Sequence, residues 1–192
     1  GIRAYSTSRR GWIETDRGRT RIIAIRSAPD SKAGTIVRSG DPETVWHRFT
    51  TERAVLVSDS YAWRYDVSAG DVVTLASRHG PVDLPIAAVY QSYDSNDGAI
   101  MMSRRTYDAL FDDDGVDSIG LYLEEGVDAE ALMERLREVG AGRQALIMNS
   151  NARIRELSLG IFDRTFVITN VLYWLAVGVA IIGILGAMLA LQ

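Results

Sequence analysis

The stretch "FVITNVLYWLAVGVAIIGILGAMLALQ", residues 166–192, contains no charged side chain. A helix needs roughly 20 consecutive apolar residues to cross the hydrocarbon core of a bilayer, and this stretch exceeds that length. Its polar and amphipathic residues, Thr169, Asn170, Tyr173 and Trp174, lie in its first third. Such residues belong at the headgroup level of a membrane. We therefore predict one transmembrane helix over residues 166–192, with Tyr173 and Trp174 at the interface.

A buried core helix and a secretory signal peptide are the alternatives for this stretch. About 165 other residues are too few to cover so long an apolar helix on every side. A signal peptide is N-terminal and follows a basic segment, whereas this stretch is C-terminal. The transmembrane interpretation is therefore the one that we carry forward.

The rest of the chain has the composition of an ordinary globular segment, because all 21 basic and 25 acidic residues precede residue 166. That length suits one domain or two small ones. The chain has no cysteine, which excludes a disulfide framework, thiolate zinc sites and a cysteine nucleophile.

Charge is unevenly distributed along this segment. Residues 1–26 carry seven Arg and two acidic residues, whereas residues 94–138 carry thirteen acidic residues and four Arg. One interpretation is a basic patch for an anionic partner and an acidic face for a basic partner. The other is that "GWIETDRGRTRIIAIRS" forms a solvated hairpin in which Arg alternates with Ile. The pattern favours the hairpin.

Short apolar runs and capped helices predict an α+β fold. Three helices are indicated: one after Ser58, one from the cap Ser103 to a stop at Gly115, and one from the cap Asp128 to a stop at Gly140. "SIGLYLEE", the third helix and "QALIMNS" together predict a βαβ unit. The predicted strands are rich in β-branched residues and bounded by Gly, Pro, Asp or Ser: "RIIAIRS", "TIVRSG", "AVLVS", "DVVTLAS", "LPIAAVYQSY", "AIMMS", "SIGLYLEE" and "QALIMNS".

Catalytic and metal-binding motifs are absent from the sequence. The single lysine, Lys32, has no phosphate-binding loop around it, so no ATP hydrolysis is expected. His47 and His79 form no metal-binding pair, and Ser58 and Ser60 lie in no nucleophile elbow. The acidic runs "DSNDG" and "DDDG" lack the calcium-loop spacing and are interpreted as turns. We expect no cofactor, no metal and no nucleic-acid partner.

The segment before the apolar stretch, "NARIRELSLGIFDRTF", predicts an amphipathic helix. Ile154, Leu157 and Ile161 fall on one helical face with Phe162 beside them. No Pro separates this segment from the membrane helix, and Gly160 is its weakest point for helix formation. We predict a nearly continuous helix from the domain into the bilayer, with residues 151–165 as a stalk.

The run "IFDRTF", Ile161 to Phe166, followed by Ile168 and Thr169, resembles the junction in FtsX-like permeases of ABC transporters at which the extracytoplasmic domain returns to the membrane. The stretches "ERAVLVSDSYAWRYDVSAGDVVTL", "DGAIMMSRRTYDALF" and "GLYLEEGVDAEALMERLREV" occur in the order seen in MacB-like periplasmic core domains. The resemblance extends from about Glu52 onward, and the first 50 residues match loosely.

This resemblance implies a fragment of a non-enzymatic permease subunit in a bacterial inner membrane. Residues 1–150 would be the extracytoplasmic core domain, 151–165 the stalk and 166–192 the membrane helix, with residues 1–165 outside the cytoplasm. The domain would convert ATP-driven movement of a partner ATPase into movement outside the membrane. Phe162 and Phe166 would anchor the base of the stalk, with Asp163 and Arg164 at the interface.

The resemblance also implies partners. These are an ATP-binding subunit, further membrane helices of the same permease or of a second copy, and membrane lipid. Small residues of the apolar stretch, among them Gly178, Gly183 and Gly186, permit another helix to approach closely. Two other functions stay open: a membrane-tethered sensor or ligand-binding domain, and a membrane-anchored hydrolase, for which no catalytic constellation is found.

Overall fold

The computed structural model describes residues 1–28, 35–93, 97–142 and 145–190, with backbone alone for residues 151–168 and for residue 190. The chain divides into two compact units, Gly1–Glu125 and Gly126–Gln192. The second unit contains α4 (Ala129–Gly140) and α5 (Asn151–Ala190). The first contains β1 (Ile2–Thr15), β2 (Gly18–Arg26), α1 (Pro42–Thr51), β3 (Val55–Ser58), α2 (Asp59–Tyr65), β4 (Val72–Ser77), β5 (Gly80–Tyr90), β6 (Ala99–Ser103), α3 (Arg104–Leu110) and β7 (Ser118–Leu123).

One mixed sheet of seven strands organises the first unit, in the order β2-β6-β3-β5-β4-β1-β7. The hairpins β1–β2 and β4–β5 are antiparallel, whereas β2 pairs with β6 and β3 with β5 in parallel. The long strand β1 pairs with β2, with β7, and at Thr15 with Leu75 of β4. Because β2 and β4 lie at opposite ends of the path through β6, β3 and β5, β1 closes the sheet on itself.

Two hydrophobic clusters lie within this unit. The larger cluster joins the sheet to α2 and α3, with Tyr61, Leu75 and Ile100 fully buried. The smaller cluster contains Trp46 and Phe49 of α1. Burying a side chain of this size stabilises a fold by about 1.5–3 kcal/mol. Val55 and Val57 of β3 belong to the larger cluster and Leu56 to the smaller one, so successive residues of this strand face opposite sides of the sheet.

Helix starts follow the predicted capping residues. Ser58 accepts a hydrogen bond from the backbone N–H of Tyr61 at the start of α2, and Ser103 accepts one from Thr106 at the start of α3. Asp128 caps α4, as predicted. The structure adds α1, a helix that the strand and helix signals above do not include.

Three sequence predictions are wrong in detail. Residues 145–150, the described part of "QALIMNS", form no strand, so β7 and α4 do not continue into a βαβ unit. The run "TIVRSG" contributes only an isolated bridge between Val37 and Tyr90. Helix α3 ends at Leu110, well before Gly115, because Phe111 adopts extended backbone angles. The α+β class and the other six predicted strands are confirmed.

Candidate functional site

Helix α5 is one uninterrupted helix of 40 residues, Asn151–Ala190. It includes Thr169–Leu189, a stretch of 21 residues that is long and apolar enough to cross a membrane. Nothing in the described structure buries the side chains of that stretch. The predicted stalk and the predicted membrane helix are thus continuous in the backbone.

The structure describes two of the predicted interface residues. Tyr173 and Trp174 are 61% and 67% exposed, and their rings meet edge to face with centroids 5.8 Å apart. Paired amphipathic rings of this kind favour a membrane–water interface. The side chains of the other predicted residues lie outside the described part of the chain: Ile154, Leu157, Ile161, Phe162, Asp163, Arg164 and Phe166.

The arginine-rich segment near the start of the chain forms the predicted hairpin. Trp12 of β1 is half exposed, and the guanidinium groups of Arg19 and Arg21 lie 5.3 and 5.7 Å from its ring centroid. Arg26 stacks in the same way on Tyr5, at 5.1 Å. Aromatic faces therefore help to hold several cations of the hairpin in place.

A polar network ties β1 to the loop after α3. Arg9 donates from Nε to Asp113 and from Nη1 to Asp117, each over 2.7 Å. Asp113 also accepts hydrogen bonds from the Tyr107 hydroxyl and from the Gly115 backbone N–H. The bond from Arg9, followed by those from Tyr107 and Gly115, lowers the pKa of Asp113 to about 2.

The hydrogen bonds of this network also shift the pKa values of its other members. The two carboxylates raise the pKa of Arg9, and the Arg10 backbone N–H, followed by Arg9, lowers the pKa of Asp117. Burial, followed by the bond to Asp113, raises the pKa of Tyr107. The run "DDDG" thus contains a structural anchor, which the sequence pattern of a turn did not reveal.

The two histidines considered for metal binding lie on different elements, and Ser58 and Ser60, considered for catalysis, are 3.1 Å apart between their hydroxyl oxygens. His47 lies on α1 beside Thr51, and His79 lies in the β4–β5 turn, where Arg78 donates to its Nε2 over 2.9 Å. Across the described ranges, no group of three or more His, Cys, Asp or Glu side chains is arranged to hold a metal ion. Lys32 and residues 94–96 of the run "DSNDG" lie outside the described residues.

Comparison with known proteins gives a relative by sequence. No family model matches the chain. The chain is 36% identical over 154 residues to the uncharacterized ABC transporter permease protein Rv0987 of Mycobacterium tuberculosis (strain ATCC 25618 / H37Rv). The alignment covers 80% of this chain and 18% of that protein, so the chain spans less than one fifth of the curated relative that it matches.

Two solved structures share the fold. The periplasmic region of MacB from Actinobacillus actinomycetemcomitans aligns with a TM-score of 0.53 at 13% identity, over 82% of this chain and 76% of that one. The extracellular domain of the noncanonic ABC-type transporter YknZ from Gram-positive bacteria aligns with a TM-score of 0.51 at 14% identity, over 78% and 82%.

The sequence relative and the two structures agree with the resemblance drawn from the sequence. The matched structures are a periplasmic region and an extracellular domain, and the described part of this chain also contains an exposed apolar helix. These findings support a membrane protein with an extracytoplasmic segment. The chain therefore has the fold of MacB-like extracytoplasmic domains and is similar in sequence to an ABC transporter permease protein.

Proposed function

We propose that this domain and its helix transmit movement as part of a permease subunit of an ABC transporter. ATP hydrolysis in a partner subunit would drive the membrane part, and α5 would carry that displacement to the domain outside the membrane. The observation that carries the proposal is the unbroken backbone helix Asn151–Ala190. The domain itself has no catalytic step in this scheme.

Helical continuity matters because it determines stiffness. At 1.5 Å per residue, a helix of 40 residues extends about 60 Å, roughly twice the thickness of the hydrocarbon core. A helix transmits translation and tilt along its length, whereas a Gly-rich linker of the same length behaves as a flexible coil. Gly160 lies within α5 and does not interrupt it.

The proposal requires three kinds of partner. An ATP-binding subunit supplies the energy, and further membrane helices, from the same permease or a second copy, transmit it to α5. Lipid surrounds the exposed side chains of Thr169–Leu189. Residues 1–165 would lie outside the cytoplasm, residues 151–165 would form the stalk, and Phe162, Asp163, Arg164 and Phe166 would mark its base.

A pair of insertions of equal length tests transmission. Seven Ala or seven Gly residues would be inserted after Gly160 in the complete permease with its ATPase. Seven residues are close to two helical turns, so the Ala insertion lengthens the helix by about 10 Å and nearly preserves its facing. The Gly insertion adds the same length but replaces a stiff helix by a flexible one.

The measurement is the distance between spin labels on cysteines introduced at Ser68 and Val171, both exposed. If α5 carries the domain rigidly, this distance should stay unchanged on addition of ATP in the unmodified permease and in the Ala variant. It should change in the Gly variant, where the membrane helix moves without the domain. ATPase activity in the Gly variant would show that the complex is intact. An equal ATP-driven change in both variants would contradict transmission through α5.

A further inference from the structure

The hairpin of β1 and β2 presents two arginines and a tryptophan together on one face. Trp12 pairs directly with Arg21, and Glu14 pairs with Arg19, so these four side chains lie on the same face of the sheet. The Cζ atoms of Arg19 and Arg21 lie 5.3 and 5.7 Å from the centroid of the Trp12 ring. Both cations therefore meet at one side chain. We call Trp12, Arg19 and Arg21 the arginine–tryptophan patch.

The opposite face of the hairpin is buried, which holds the patch in place. Ile13, Thr20 and Ile22 alternate with the patch residues along the two strands and are buried. Trp12 and Arg19, by contrast, are exposed. Nine consecutive residue pairs keep the strands in register. A surface that is fixed before binding loses little conformational entropy when a partner docks.

The charge of this face is opposite to that of the chain, whose formal net charge is −4. In the paired part of the hairpin, the face carries three cations, Arg10, Arg19 and Arg21, and one anion, Glu14. Arg19 forms no ion pair within 4 Å in the described part of the chain, although Glu14 is directly across from it. Stacking on a ring leaves the N–H donors at the edge of a guanidinium group able to bind carboxylate oxygens.

The patch lies far from the end of the first unit at which its terminal residues meet. The Gly1 ammonium group is 2.8 Å from the Glu124 carboxylate, so both residues lie together at one end of β1. From there β1 extends over 14 residues to the hairpin turn, up to roughly 45 Å at about 3.3 Å per residue. A partner can therefore reach the patch without contacting that end of the unit.

The spacing of the two arginines matches an extended acidic segment. Arg19 and Arg21 are alternate residues of one strand, so their Cα atoms are about 7 Å apart. Alternate carboxylates of an extended segment have the same spacing and project to the same side. Each guanidinium group can bind a carboxylate through two parallel hydrogen bonds.

The composition of the patch favours a protein partner over a lipid surface. Trp and Arg are among the residue types that contribute most of the binding energy at protein interfaces. A bilayer would have to accept the two guanidinium groups along with the Trp12 ring that they flank, and charged groups are costly to carry into a bilayer.

We infer that the arginine–tryptophan patch binds an extended acidic segment of a partner protein. Carboxylates at alternate positions of that segment bind Arg19 and Arg21, and the Trp12 ring orients both guanidinium groups. The inference rests on the first unit alone and holds whether or not α5 transmits movement.

Fluorescence anisotropy with the full chain in phosphatidylcholine nanodiscs tests the patch. The probe is a labelled peptide of ten residues in which Glu alternates with Thr, and the reference peptide has Gln in place of every Glu. We expect the Glu peptide alone to bind, with an affinity that falls as NaCl is raised. Absence of binding above the reference would overturn the inference.

Two further measurements separate this partner from other occupants. Flotation with phosphatidylglycerol vesicles detects a lipid partner, and sedimentation of the nanodiscs detects self-association. Binding to the vesicles without binding of the peptide would assign the patch to lipid and overturn the inference. Salt-sensitive self-association without binding of the peptide would assign it to a second copy, with the same consequence.

Matched variants assign the binding to the patch. R19Q/R21Q should lower the affinity by about tenfold or more, since each change removes a charge-assisted pair. R53Q/R105Q, which removes the same charge at exposed positions elsewhere in the first unit, should change it less than about twofold. W12L keeps both charges but removes the ring that orients them, so it should lower the affinity by about threefold.

A conservative variant keeps the test independent of folding. R19K/R21K retains both charges and should bind more tightly than R19Q/R21Q but less tightly than the unmodified chain, because Lys lacks the fork of donors. Thermal melting followed by circular dichroism shows whether each variant is folded. Equal losses in R19Q/R21Q and R53Q/R105Q, or unchanged affinity in W12L, would overturn the inference.

Discussion

Arg9 and Asp113, which are 104 residues apart in sequence, are joined by a hydrogen-bonded ion pair of 2.7 Å. The pair fixes the loop after α3 against the first strand of the sheet. Since Asp113 receives bonds from Arg9, Tyr107 and Gly115 together, its carboxylate serves as the centre of that attachment.

The replacement D113N should lower the melting temperature of the first unit at pH 7 by about 4 °C. The pKa of Asp113 is about 2 in the folded chain, below its ordinary value of 3.8. The stabilisation of the fold by the ionised Asp113 carboxylate is therefore complete above about pH 4, and it is lost as the pH falls toward 2. The difference in melting temperature should shrink over that interval, as circular dichroism would measure. D114N, at an exposed neighbour, is the control, and a pH-independent difference would contradict the argument.

Ser58 should contribute more stability than an ordinary helix cap. Its hydroxyl accepts hydrogen bonds from the backbone N–H groups of both Tyr61 and Ala99, at 3.2 and 2.9 Å. S58A leaves two buried donors without a partner and should cost about 2 kcal/mol of unfolding free energy. S103A removes the bond to one backbone donor at the start of α3 and should cost about 1 kcal/mol. Denaturant titration compares the two, and equal costs would refute the double role.

Gly98 lies where no side chain fits. Its φ is +81°, and a Cβ atom there would lie 2.8 Å from the Cα and Cβ of Tyr61. Gly70 has a φ of +100° with open space around it. G70A should therefore cost about 1–2 kcal/mol from backbone strain alone, whereas G98A should cost about 2 kcal/mol more. Denaturant titration of both variants provides the measurement, and equal costs would show that α2 shifts freely.

Trp174 should contact lipid. The chain contains four tryptophans, of which Trp12, Trp46 and Trp63 lie in the first unit. In vesicles of brominated phosphatidylcholine, part of the tryptophan emission should be quenched, because bromine near the headgroup level reaches an interfacial ring. W174F should abolish most of that quenching, and W63F, at an 87% exposed residue, should leave it unchanged. Unchanged quenching in W174F would contradict the interfacial position of this residue.

Local signals of the sequence predicted the elements that depend on local physics. Alternation in "LPIAAVY" identified β5, and Ser58 and Ser103 identified the starts of two helices, because these features act within a few residues. Helix α1 carries the same kind of signal: Asp41 accepts from the Thr44 backbone N–H, and Pro42 occupies the first turn. Three of the ten residues of α1 are buried, and this apolar pattern was too weak to predict a helix from the sequence.

Features that depend on distant partners were not predictable from the pattern. The run "QALIMNS" has the composition of a strand, but a strand also needs a neighbour with which to pair, and residues 145–150 have none in the described structure. The second bond of Ser58 reaches Ala99, 41 residues away, and the carboxylate of Asp113 accepts from Arg9, 104 residues away. Such sites are created by the topology of the sheet.

The closure of the sheet by β1 has a mechanical consequence. Ile2 pairs with Leu123, so the first and last strands of the unit run side by side in opposite directions. A pull that separates these two strand ends would break the β1–β7 hydrogen bonds one at a time, as in unzipping. It would bypass the continuous path from β2 through β6, β3 and β5 to β4. Such a pull would therefore act first on the β1–β7 pairing at the edge of the sheet.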